Sequence, residues 1–218
     1  MKRMLYFSLA VVNLLLAVWV IGALPETVPV HFNLMGEVDR LGSRWWYLLT
    51  GALPLLVMGL YLLYIRLTRH NERIVCNRAV EDRLIPMIAL ALGAVGWVAL
   101  LAARSGEHVQ PQHFSLIFVA LGLLMVYMSN LMGKVKQNRT LGFKILWTLK
   151  DEVVWNKTHR LMGYAGVALG AVMIAGGLAG VAGHEKAAFI LFFGALAVFV
   201  LLPVFYARGL YKRRHEAE

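Results

Sequence analysis

The sequence predicts an all-α polytopic membrane protein with six transmembrane helices and both termini in the cytoplasm. Three observations carry that prediction. First, 60% of the 218 residues are hydrophobic and only 16% are charged, with a mean hydropathy of +0.66, which is too apolar for an ordinary soluble domain. Second, crossing the hydrocarbon core takes about 20 apolar residues in helix, and six segments qualify: 4–24, 45–65, 84–103, 113–132, 161–182 and 187–207. Third, with the N-terminus inside, 18 of the 22 Lys and Arg residues fall in the inner segments, a strong positive-inside bias. The formal charge of +10 is thereby explained by topology and by anionic lipid. No direct nucleic-acid partner is expected.

The elements follow in order. Lys2 and Arg3 precede a first span too long for a signal peptide and lacking a small-x-small cleavage site, so it is expected to remain as a helix. Its Ser8 and Asn13 are expected to face other helices. Pro25 and Pro29 stop that helix, and Gly36 and Gly42 supply turns in an external loop, 25–44. Trp45, Trp46 and Tyr47 anchor the start of the second span at the interface, and Pro54 is expected to kink it. The inner loop 66–83 mixes Arg with Glu72, Glu81 and Asp82 and reads as a solvated topology determinant. It holds Cys76, the only cysteine, so no disulfide forms within the chain. The third span is expected to start near Pro86, a tolerated first-turn position. In the fifth, Gly166-x3-Gly170 and Gly176-x3-Gly180 offer faces for close packing within the bundle. The chain thus divides into an N-terminal membrane module, 1–103, and a C-terminal one, 104–218, integrated as one membrane domain.

Two loops carry the polar residue types that function requires. The connection 133–160 is far longer than a helix hairpin needs, as the short turn at 183–186 shows. Within it, Thr148-Leu-Lys-Asp151 resembles a capping box, so a helix is expected from Leu149, lying along the inner surface and bending into the fifth span near Gly163. Glu152, Trp155 and His159 then share a face. Glu152 and His159 are spaced too widely for a helical metal pair and lack further ligands, so His159 is expected to serve the structure, donating to a carbonyl or carboxylate at the bend. The candidate surface for a cytoplasmic partner comprises Asn130, Lys134, Asn138, Arg139, Trp147, Glu152, Trp155, Thr158, His159 and Arg160.

In the external loop, His31, Asn33, Gly36, Asp39 and Arg40 are the candidate ligand-binding residues, with Glu37 beside them. Two readings fit this group: a grip on a peptide or metal ion, or a compact loop whose Asn and Asp bond local backbone. No metal site, cofactor or catalytic residue is assigned. His31 and Asp39 lie outside while Glu152 and His159 lie inside, so they cannot share an active site, and an enzyme is not expected.

These same loops carry a resemblance. LP-x2-VPVHFN-x2-G-x2-DR-x-GS in the outer segment resembles a small membrane module of unknown function. N-x2-GKVKQN-x3-GFKILWTL-x-DE-x2-W-x2-THR in the inner segment resembles the C-terminal signature of the SdpI family, bacterial membrane proteins named for immunity to a killing peptide. The outer pattern falls on Pro25, Pro29, His31, Asn33, Gly36, Asp39 and Gly42. The inner one falls on Asn130, Gly133, Asn138, Gly142, Trp147, Thr148, Trp155, Thr158, His159 and Arg160. Where this chain has Lys144-Ile-Leu-Trp147, the family usually shows an Arg-Thr-Pro-Trp-like stretch. The resemblance implies a multi-pass protein of the bacterial cell (inner) membrane. It would sense or resist an extracellular antimicrobial peptide and bind a cytoplasmic transcription regulator. The alternative is a membrane transporter or lipid-handling channel. Because no ionisable residue lies at the middle of any span, ion-coupled transport is the weaker form of that alternative.

Overall fold

The computed structural model describes residues 2–33, 38–104 and 112–215. In chain order these form α1 (Lys2–Gly22), β1 (Thr27–Phe32), β2 (Val38–Ser43), a 3-10 turn (Arg44–Trp46) and α2 (Tyr47–Thr68). There follow α3 (Glu72–Val75), α4 (Arg78–Arg104), α5 (Gln112–Met132), α6 (Leu146–Lys150), α7 (Glu152–Val181) and α8 (Glu185–His215). Six of the helices, all but α3 and α6, are long and apolar enough to cross a membrane. They leave large apolar side chains exposed on the outside of the bundle, among them Trp19, Leu67, Ile190 and Phe205, as a lipid-facing surface requires.

The helices pack as two three-helix units, α1–α2–α4 and α5–α7–α8, joined where α4 meets α5. In the first unit, Asn13 is the polar cross-link. Its amide donates to the Gly51 carbonyl (3.0 Å) and its carbonyl accepts from the Trp97 indole (2.9 Å), so the expectation for Asn13 holds. Ser8, by contrast, is exposed. Pro54 sits inside an uninterrupted α2. In the second unit, glycine lets α5 and α7 approach closely. A Cβ at Gly170 would stand 2.9 Å from the Gly122 carbonyl oxygen, and one at Gly177 would stand 2.8 Å from that of Ser115. Gly176 instead faces Leu191 of α8. The small-residue faces therefore pack within the bundle.

Three contacts gather one end of the molecule. Arg3 holds Asp82 with two bonds of 2.6 Å. Asn77 accepts from the Lys136 N–H (2.9 Å) and donates to the Lys136 carbonyl (3.0 Å). Arg214 pairs with Asp151 at 3.0 Å. The start of α1, the end of α8 and the connections 69–78 and 133–151 consequently share one end of the bundle. The hairpin β1–β2 sits at the other, tied down where the Tyr47 hydroxyl donates to the Pro29 carbonyl (2.5 Å) and Arg44 donates to that of Leu24 (2.5 Å).

Several boundaries differ from expectation. The hairpin itself replaces an irregular loop. α4 begins at Arg78, so Pro86 lies well inside the helix. Thr148 does not cap a helix from Leu149. It lies within α6, where its hydroxyl donates to the Phe143 carbonyl (2.6 Å) and accepts from the Ile145 N–H (3.2 Å). The cap of α7 is Asp151, whose carboxylate accepts from Val153 and Val154 N–H groups at 2.7 and 3.0 Å, satisfying orphan donors of the first turn. Burial alone would raise the Asp151 pKa, but the bonds from Val154 and Arg214 hold it below the ordinary carboxylate value. α7 then runs without interruption through Gly163 to Val181.

Candidate functional site

The connection between α5 and α7 is a shaped object despite having little regular structure. Asn138 organises its first turn: the side-chain oxygen accepts from the Thr140 and Leu141 N–H groups (2.7 and 2.6 Å), and the amide donates to the Lys136 and Leu141 carbonyls (2.6 and 3.0 Å). Gln137 reaches across to the Thr148 carbonyl (2.8 Å). From α7, the Trp155 indole donates to the Val135 carbonyl (2.8 Å). His159 Nε2 accepts from the Phe143 N–H (2.9 Å), which places the ring proton on Nδ1, where it donates to the Trp155 carbonyl (2.9 Å). Both nitrogens are thus committed with the imidazole neutral. The two rings stack at 4.0 Å.

Gly142 makes this closure possible. Its φ is +107°, and a Cβ there would fall on His159 Nε2 and stand 3.1 Å from the Trp155 ring. Only glycine meets both demands.

The expected partner residues therefore divide. Trp155, Thr158 and His159 are at most 1% exposed, so they offer almost no surface to a protein partner, and Trp155 and His159 pin the loop from beneath. Asn138 spends its side chain on the loop's own backbone. Glu152 is exposed and does not pair with His159. Asn130, Lys134, Arg139 and Arg160 are exposed, and Trp147 is partly so. Asn130, Lys134, His159 and Arg160 meet along a groove of about 720 Å³ between the ends of α5 and α7.

At the opposite end, the hairpin pairs Thr27 with Ser43 through Phe32 with Val38, with irregularities around His31. That register brings His31 and Asp39 together, Nδ1 to Oδ1 at 2.6 Å, and sets Arg40 across from His31. Both members of the pair are substantially exposed. Gly36 and Glu37 lie outside the described residues. Among the described residues, no three metal-ligating side chains converge. Beside the pair, a cleft of about 360 Å³ is lined by Val30, Arg40, Leu41, Trp46, Tyr47 and Leu49, among others. It offers one cation and an aromatic and aliphatic wall.

A third cluster was not anticipated. Glu81 is 4% exposed and pairs with Arg78 at 3.0 Å, while the Tyr64 hydroxyl donates to it at 3.0 Å. The neighbouring Asp82 takes Arg3 and the Tyr61 hydroxyl (2.7 Å). Arg78 also lies 5.0 Å over the Tyr64 ring, a cation–π distance. The i, i+3 spacing of Tyr61 and Tyr64 against adjacent acids was the available signal.

Fold and surfaces together define a multi-pass helical membrane protein with a hairpin at one end and a pinned loop at the other. Residues 134–207 match the family model of the SdpI/YfhL protein family, and residues 9–58 match DUF1648, a domain of unknown function. The C-terminal unit is thus similar to the SdpI family, and a DUF1648-like segment lies in front of it. No curated protein and no solved structure matches it. At the level of the family, the match supports a membrane protein of the immunity type.

Proposed function

We propose that the protein confers immunity to an extracellular antimicrobial peptide at a bacterial inner membrane, with the hairpin end outside. The observation that carries this reading is the outer cleft. Arg40 stands beside exposed aromatic and aliphatic side chains, and the His31–Asp39 pair holds the hairpin arm that presents it. Such a wall suits an amphipathic peptide, since aromatic and Arg anchors dominate binding surfaces. The basic distribution supports placing the opposite end in the cytoplasm. There Arg139 and Trp147 would meet a transcription regulator.

The test uses cells lacking the gene, challenged with culture supernatant from related strains that kills them. The parent chain restores survival. His31→Ala with Asp39→Ala loses protection while any cytoplasmic partner is still recruited, and Arg139→Ala with Trp147→Ala does the reverse. If both double variants reach the membrane at the parent's level and keep every phenotype, the reading is wrong.

A further inference from the structure

We infer that the groove between the inner ends of α5 and α7 is a binding site for the phosphate headgroup of an anionic phospholipid. The inference does not depend on the immunity reading. Two cations line the groove, Lys134 and Arg160, with the Asn156 side chain and with Asn130, whose amide also donates to the Val126 carbonyl (2.9 Å). Neither cation has an acidic or hydrogen-bonding partner among the described residues, and both are exposed. Unpaired Arg and Lys with a neutral amide donor in the same groove form a set that captures a phosphate.

The groove then continues along α7 past Arg160 to Gly163, Tyr164 and Val167. At about 1.5 Å per residue, Val167 lies about 10 Å below Arg160 along the helix, inside the apolar run of the span. Tyr164 is 68% exposed there. A site with two cations at its mouth and an apolar, tyrosine-flanked floor at hydrocarbon depth matches an amphiphile. A soluble partner could reach only its mouth.

Two of its lining residues are glycines. A Cβ at Gly133 would meet nothing within 4 Å, and one at Gly163 would stand 3.2 Å from the Ser129 carbonyl oxygen, a tight contact. Ser129 also lines the groove. It is 1% exposed, and its hydroxyl has no hydrogen-bond partner among the described residues.

The site would hold this lipid preferentially over the zwitterionic bulk. Its loops' other consumer of charge, the Asp151–Arg214 pair, lies outside it. Bound lipid would brace the junction of the loop with α7, because His159, which pins the loop through Phe143, is itself a wall of the groove.

The experiment places the full chain in nanodiscs of phosphatidylglycerol and phosphatidylcholine and measures, by native mass spectrometry, the lipid retained after release. The parent is expected to retain one phosphatidylglycerol. Lys134→Gln with Arg160→Gln should weaken retention about 30-fold, the effect of two surface charges. Lys150→Gln with Lys157→Gln removes the same charge from exposed positions off the groove and should retain the lipid. Inorganic phosphate is the second arm, and competition by it identifies the phosphate group as what is recognised. Phosphate binding without lipid retention assigns the site to a free anion and overturns the lipid assignment. Equal retention of phosphatidylcholine, or equal loss in both double variants, overturns the site itself. Circular dichroism and thermal unfolding of both variants separate misfolding from loss of binding: neither variant removes a packed side chain, so both should unfold with the parent.

Discussion

Gly142→Ala is expected to destabilise the inner loop by about 3 kcal/mol, the upper end of what a left-handed backbone costs a residue with a Cβ. At φ +107°, the new methyl would fall on His159 Nε2. Relief requires His159 to release the Phe143 N–H, and with it the stack on Trp155. Thermal unfolding in detergent reads the loss, and amide hydrogen exchange at Phe143 shows where it occurs. Gly133→Ala is the control. It has no positive φ and open space for its Cβ, so its stability should stay within about 0.5 kcal/mol of the parent. If the two substitutions behave alike, the loop is not pinned as described.

Glu81→Leu should cost about 3–5 kcal/mol, because it leaves a buried cation without its partner. The Arg78 and Glu81 side chains are only 12% and 5% exposed, and water can do little to compensate. Replacing both, as Arg78→Met with Glu81→Leu, should be less damaging than Glu81→Leu alone, since the uncompensated charge is then gone. A double-mutant cycle on unfolding free energy measures the coupling. A double variant that loses the sum of the two single effects would show that the pair is not coupled.

The spans were legible because hydropathy over about 20 residues reports on lipid contact regardless of what the helices touch. The hairpin was not, because Pro29 and Gly42 were read as loop residues. Yet Val28, Val30 and Phe32 alternate in the way a strand does, and Pro is tolerated where a strand lies at an edge. The inner loop was legible as a functional segment but not as a surface. Trp155 is an amphipathic residue beside a membrane, which suggests interfacial exposure, while His159 was expected to bond a carbonyl or carboxylate and was also counted in the partner surface. The loop folds over them and buries both, a long-range closure that depends on Gly142 and has no local signature. Thr148 and Asp151 both satisfy a capping pattern, and only the tertiary bonds of Thr148 to Phe143 and Ile145 decide between them. The cluster at Arg78, Glu81 and Asp82 was read as solvated because Arg3, Tyr61 and Tyr64 come from distant parts of the chain.

The central claim is that the hairpin and the pinned loop face opposite sides of the membrane, with the hairpin outside. The direct measurement is labelling by an impermeant maleimide in intact cells, in a parent carrying Cys76→Ser. Leu41→Cys and Arg139→Cys report the two ends, and both native side chains are exposed. The account predicts labelling at position 41 in intact cells and at position 139 only after permeabilisation. Labelling at position 139 in intact cells, with position 41 protected, would contradict it.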